Sequence, residues 1–261
     1  MIIMKKHTIP AIIESIALIL LVACNDTTQD EFSHIREMYG DYWWSVITEA
    51  SEQYGDDLII EHPVQGDIWL RNSVEDLAFS ATHIVRAEVI DSRVELINTL
   101  LGEPGLEDME FYESLREAAT VLHTVYSLRV LESFQGNAEI GSTIEAMQSG
   151  GQSGNRVLVN LDTTQFALGD EIILFLRCFE TLGFNSGPMS LVSYIQGIYQ
   201  ATPSNASRGD LEAFEDGITN AYNQNADFAS IEFESVNPTN NLTLTVGDLM
   251  RIAEQSSRSN Y

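Results

Sequence analysis

Apolar and polar positions alternate along this chain with three different rhythms. An apolar run, Ile9 to Val22, opens it behind Lys5 and Lys6 and carries one charge, Glu14. A polar stretch follows from Asn25 to Glu31, and then apolar residues recur with helical spacing from Phe32 to Gln53: Phe32, Ile35, Met38 or Tyr39, Tyr42 or Trp43, Val46, Ile47 and Ala50. Gly40 weakens the middle of that helix. Beyond it the period changes to two. Val85, Ala87 and Val89 alternate with Arg86 and Glu88, and Tyr126, Leu128 and Val130 alternate with Ser127 and Arg129.

These patterns predict a sequence of elements. Leu58 to Ile60 and Ile68 to Leu70 read as short strands around a turn from Pro63 to Gly66. Ser73 and Asp76 form a capping pair that opens a helix over Val74–Ala81. A strand follows over Ile84–Ile90. Leu106 to Leu122 reads as an amphipathic helix whose glutamates form a solvated face rather than a calcium site. Strands are then expected at Thr124–Phe134, Thr143–Gln148, Val157–Leu161, Glu171–Phe179 and Ser193–Gln200, with Gly150 to Asn155 as a flexible loop. Leu211 to Tyr222 is read as one acidic helix and Ile231 to Val236 as an added strand. Thr245 and Asp248 cap a last helix, Val246 to Gln255. Five or six strands separated by turns, with little helix among them, suggest a small β-barrel inside a β-rich α+β fold.

The start of the chain resembles a bacterial lipoprotein signal. Leu21-Val22-Ala23-Cys24 is similar to a lipobox, and the apolar run is short for a membrane span, which needs roughly 17–25 apolar residues. The resemblance implies cleavage between Ala23 and Cys24 and a thioether-linked diacylglycerol on Cys24. It implies a protein anchored to the cell membrane and folded on the extracytoplasmic face. Residues 1–23 are then the signal peptide and 24–31 a tether. Residues 32–72 form a helical N-terminal extension, 73–201 the barrel domain with a helical insertion at 103–122, and 202–261 a helical C-terminal extension.

Charge narrows the partners. The chain carries 13 Lys and Arg against 39 Asp and Glu, and loss of Lys5, Lys6 and Glu14 takes the formal charge from −26 to −27. Such a surface repels nucleic acid and anionic headgroups. Of two cysteines, lipidation of Cys24 leaves Cys178 without a disulfide partner. Cys178 continues the apolar face of Ile172, Leu174 and Leu176, and is expected to be a buried, inert thiol.

Four segments carry a further resemblance: SVEDLAFSATHIVRAEVID (Ser73–Asp91), YSLRVLESFQGNAEIGSTIEAM (Tyr126–Met147), FALGDEIILFL (Phe166–Leu176) and YIQGIYQ (Tyr194–Gln200). They resemble a set of bacterial lipoproteins of uncharacterised function whose domain looks like the netrin-type module, an OB-like barrel shared with tissue inhibitors of metalloproteinases. The implied fold is an OB-like small β-barrel with N-terminal, inserted and C-terminal helices. Two departures stand out. Gln135-Gly136 stands where bacterial members often carry Lys-Gly. The inhibitors chelate zinc through a free N-terminal cysteine and are rich in disulfides, whereas Cys24 would be lipidated far from the barrel, so that mechanism does not carry over.

No metalloprotease, phosphate-loop, dinucleotide or Cys-x-x-Cys motif is present, and Gly151-Gln152-Ser153-Gly154 matches a nucleophile elbow only superficially. His34, His62, His83 and His123 are scattered, and Trp43-Trp44 lies on the helical apolar stripe, which favours core packing over glycan stacking. The expectation is a non-catalytic interaction module with no cofactor and no metal. A protein or neutral glycan would dock near Gly150, Gly151, Gln152, Ser153, Gly154 and Asn155 and the helix Leu106–Leu122. The alternative is an envelope hydrolase using acidic residues in a cleft.

Overall fold

Two β-sheets and five α-helices organise the described residues of the computed structural model, which are 29–62, 70–98, 120–178, 187–203, 207–214 and 217–259. The chain divides into two units, one drawn from Met1–His62 with Gln152–Leu161 and the other from Pro63–Gly151 with Asp162–Tyr261.

The first unit is built on α1 (Gln29–Tyr54), whose helical backbone is interrupted at Gly40. Its Trp43, Ile47 and Ala50 are buried against Val157 and Val159. The Trp43 indole N–H donates to the Asn160 carbonyl at 3.1 Å, which satisfies the one polar atom such a buried ring carries. Strand β1 (Ile59–Glu61) pairs in parallel with β6 (Arg156–Leu158), Ile60 lying opposite Val157. With β5 (Gly151–Ser153) they form a three-stranded sheet in the order β1-β6-β5. Of the expected strand Val157–Leu161, only Val157 and Leu158 lie in β6, in this sheet and not in the larger one; Val159 and Leu161 follow its end, and Leu161 is exposed.

The second unit contains an eight-stranded sheet. Its strands are β2 (His83–Asn98), β3 (Thr120–Gln135), β4 (Thr143–Ser149), β7 (Glu171–Arg177), β8 (Met189–Leu191), β9 (Ile198–Pro203), β10 (Glu232–Ser235) and β11 (Leu244–Thr245), in the order β11-β10-β9-β7-β2-β3-β4-β8. β8 also pairs with β7, Leu191 opposite Leu176, while it lies parallel to β4, Met189 opposite Ala146. Alternation puts one side of each central strand into each of two apolar layers. Val85, Ala87 and Val89 meet Leu128, Val130, Ile172, Leu174 and Leu176 on one side. Ile84, Ile173, Phe175 and Tyr199 on the other lie under α2 (Val74–Ser80), α3 (Arg208–Phe214), α4 (Ile218–Gln224) and α5 (Val246–Ser259). Burial of each such Val, Leu, Ile or Phe is worth roughly 1.5–3 kcal/mol, so this double-sided sheet dominates the stability of the unit.

Both capping pairs form. The Asp76 N–H donates to Ser73 Oγ at 3.1 Å, and Thr245 and Asp248 exchange three hydrogen bonds at the start of α5. Three expectations change. Thr120 to Leu122 are the first residues of β3 and not the end of a helix; the rest of Leu106–Leu122, with its glutamates, lies outside the described residues, as do Ile68 and Trp69. The expected helix Leu211–Tyr222 is two helices, α3 and α4, because the backbone of Gly217 is non-helical. The last strand starts at Ile198 rather than Ser193, and residues 193–197 form turns before it.

Candidate functional site

A groove of about 900 Å³ opens between α2, α5 and the β3–β4 turn. The short helix α2 exists because Ser73 caps it and because Val74, Leu77 and Ala78 bury one face. That geometry forces Phe79 onto the opposite face, where it is 92% exposed. Its C-terminus is held from outside: Gln135 Nε2 donates to the carbonyls of Ala78 and Ala81 at 3.1 and 2.7 Å. The groove walls carry Glu75 and Asp76 from α2 and Asp248 and Arg251 from α5.

Arg251 bridges the two helices, donating to Glu75 and to Asp248. A hydrogen bond from the backbone N–H of Glu75 itself, then the Arg251 guanidinium, hold the Glu75 carboxyl below the usual carboxylate range. A glycosidase acid needs the opposite shift.

The floor of the groove is Thr82, His83, Gly136 and Asn137. His83 Nε2 lies 2.9 Å from Asn137 Oδ1, and Nδ1 lies 3.0 Å from Thr82 Oγ1. Gly136 has a φ of 90°, and a Cβ there would sit 2.5 Å from His83 Cδ2, so only glycine lets the ring lie flat on the turn. Cys178 Sγ approaches His83 Nδ1 at 3.6 Å. Cys178 packs against the same apolar layer as Ile172, Leu174 and Leu176, as the alternation predicts, but it is only partly buried, because β7 ends at Arg177.

The residues expected to contact a ligand are placed differently. Gly150 and Gly151 are buried, with φ of 123° and 141°. Gly150 N–H donates to the Leu122 carbonyl, and Thr124 Oγ1 donates to the Gly150 carbonyl. A Cβ on Gly151 would lie 2.7 Å from Val94 Cγ1. Gln152 and Ser153 continue strand β5, Gly154 turns the hairpin, and Asn155 Nδ2 donates to the Asp57 carbonyl at 2.7 Å. The flexible loop is thus a tight hairpin in which Gly151 answers to packing and Gly154 to its positive φ. Ala23 and Cys24 lie outside the described residues.

Arginines on β2 and β3 are already engaged. Arg129 pairs with Glu88, Arg93 with Glu95 and Glu145 at 2.5 and 2.6 Å, and Arg86 with Glu132 and Glu171 at 3.0 and 2.6 Å. Among the described residues no group of three or more His, Cys, Asp or Glu side chains is arranged to hold a metal ion, and no helix is long and apolar enough to cross a membrane. No protein-family model matches the chain, and no curated protein matches it significantly.

Sequence reasoning missed the groove because its parts lie far apart, at residues 74–83, 135–137 and 248–256. One signal was available. Phe79 breaks the apolar stripe of a helix whose other apolar residues, Val74, Leu77 and Ala78, share a face.

Proposed function

We propose that this is a membrane-anchored, extracytoplasmic lipoprotein whose folded part is a non-catalytic binding module, and that the module takes a cationic, partly apolar polypeptide segment in the groove between α2 and α5. The observation that carries the reading is Phe79, 92% exposed on the rim of a groove whose walls carry three acids, Glu75, Asp76 and Asp248, against the cation Arg251. An exposed aromatic beside a concavity is a natural anchor for a partner. The acids around it, on a chain of net charge −26, favour a basic partner and steer its approach.

The pairing order supports an OB-like barrel for the module. Strands β2-β3-β4-β8-β7 return to β2 through the β7–β8 contact, and β4 and β8 run parallel. The lipid anchor rests on Leu21-Val22-Ala23-Cys24 and the apolar run before it. The hydrolase alternative is weaker, because Glu75 and Asp248 already share Arg251 and Glu75 is held ionised.

Titration with two synthetic peptides tests the reading: one alternating leucine and lysine, the other leucine and glutamate. The lysine peptide is expected to bind, more weakly as salt rises, and the glutamate peptide to leave the protein unchanged. Equal binding of both, or binding of neither, contradicts the proposal.

A further inference from the structure

We propose that Cys178 is a nucleophilic thiol served by the imidazole of His83, and that it takes up low-molecular-weight disulfides to form a mixed disulfide. The inference is independent of the lipid anchor and of any peptide partner.

Geometry assigns the roles. Asn137 Oδ1 is an acceptor, so the 2.9 Å contact places a hydrogen on His83 Nε2 and leaves the lone pair on Nδ1. Two groups face that lone pair. Thr82 Oγ1 lies 3.0 Å away, but it accepts the Cys178 N–H at 2.8 Å and its own hydrogen can go to the Leu176 carbonyl at 3.3 Å. With the Thr82 hydrogen on the Leu176 carbonyl, the donor that faces Nδ1 is the Cys178 thiol, 3.6 Å away. The Cys178 backbone is pinned by Thr82, and the imidazole is pinned by Asn137 on one edge and by Gly136 on its face. Nucleophile, base and orienting amide are thus in series, the arrangement that activates thiols. The imidazole lines an open groove and Cys178 is partly buried beside it, which gives a small disulfide a route to the pair.

The step balances. The Cys178 thiol proton passes to His83 Nδ1, and the sulfur attacks one sulfur of the disulfide R–S–S–R. A bond forms from Cys178 Sγ to that sulfur as the old S–S bond breaks. The departing RS⁻ takes the proton from His83 and leaves as RSH. Cys178 is oxidised and the departing sulfur is reduced, with no other reagent. Asn137 is a positioning residue, since it acts only through the ring.

The test uses the full chain carrying Cys24→Ser, which leaves Cys178 as the single thiol, and cystamine, a cationic disulfide suited to an acidic protein. Mass spectrometry follows the mixed disulfide at pH 7 in the folded chain and in the same chain unfolded in urea. The folded chain is expected to react at least tenfold faster than the unfolded one. His83→Gln is expected to remove that advantage at pH 7 and to leave a rate that rises steadily with pH, as for an unassisted thiol. Asn137→Ala is expected to fall between them, and Asn137→Asp to restore most of the rate. A folded chain slower than the unfolded one overturns the proposal. So does a His83→Gln chain, folded by circular dichroism, that keeps the parent rate and pH profile.

Discussion

Glu132, on β3, caps a helix that begins 86 residues later: its Oε1 accepts the Ile218 N–H at 2.7 Å and its Oε2 the Thr219 N–H at 3.1 Å. The same carboxylate receives Arg86 Nη1 at 3.0 Å, and Glu132 is only 8% exposed. One buried charge therefore ties the sheet to the start of α4 and balances a guanidinium that also reaches Glu171. Removing the Glu132 charge leaves the buried guanidinium with the more exposed Glu171 and weakens the acceptor for both α4 N–H groups. Glu132→Gln is expected to cost about 3 kcal/mol, measured as a lower urea midpoint at unchanged slope. A loss below about 0.5 kcal/mol, the size of an ordinary surface substitution, would mean that the carboxylate is not part of the framework.

The register of β3 gives a sharper contrast. Val130 is wholly buried between Ala87 and its neighbours, while Arg129, one residue away, is on the surface and pairs with Glu88. Val130→Asp is expected to unfold the second unit, because an unpaired carboxylate would enter the apolar layer. Arg129→Ala should cost at most about 1 kcal/mol. Circular dichroism of the two variants decides this, and comparable losses would contradict the register.

Glycines at the hairpin separate packing from backbone strain. Gly151→Ala meets Val94 Cγ1 at 2.7 Å in a positive-φ conformation, whereas Gly154→Ala, at φ 58°, meets nothing within 4 Å. The first is expected to cost about 2–4 kcal/mol and the second about 1 kcal/mol. Thermal melting of both variants gives the comparison; equal shifts would mean that Val94 yields to the added methyl.

His123 makes stability depend on pH. It is buried in β3, and desolvation lowers its pKa below the ordinary histidine value, against a raising hydrogen bond to the Val121 carbonyl. The unfolded chain therefore binds a proton more readily than the folded one. Stability is full above the unfolded value, near 6.5, and is lost as pH falls through it until the folded value is passed. The urea midpoint of the parent should drop between pH 7.5 and 5.5 (about one unit either side of that value) more than that of His123→Gln. Parallel curves would remove His123 as the cause.

Alternation made much of this fold legible. Val85, Ala87 and Val89, and Tyr126, Leu128 and Val130, read directly as buried faces, and Ser73 and Thr245 announced their helices. What escaped was non-local or too short to carry a period. β8 is three residues long and is defined by its partners, Leu176 and Ala146. Glu132 falls in phase with Leu128 and Val130, where alternation leaves no room for a charge, and only the register shift beside it and the placement of α4 make it a buried cap. Gly150 and Gly151 read as a flexible loop because composition cannot distinguish freedom from a required positive φ. Cys178 lies on the apolar layer its alternation predicts but is only partly buried, because periodicity does not show where a strand stops. The groove needed three separate segments brought together, and of these only Phe79 left a mark in the sequence.

The lipid anchor has its own expected outcome. Cells fed an alkyne fatty acid should label the parent chain, and Cys24→Ser should abolish the label and leave the chain unprocessed or released. Equal labelling of the serine variant would place the lipid elsewhere and remove the argument from Ala23 and Cys24.

The groove itself is tested most directly by the affinity of the leucine–lysine peptide for the Cys24→Ser chain with and without Phe79→Ser. Phe79 touches no part of the buried core, so the variant should fold as the parent does. A binding role for the ring requires at least a tenfold weaker Kd in the variant, about 1.4 kcal/mol, with an unchanged melting temperature. The same Kd in both chains would contradict the account, because the exposed ring at the groove rim would then anchor nothing.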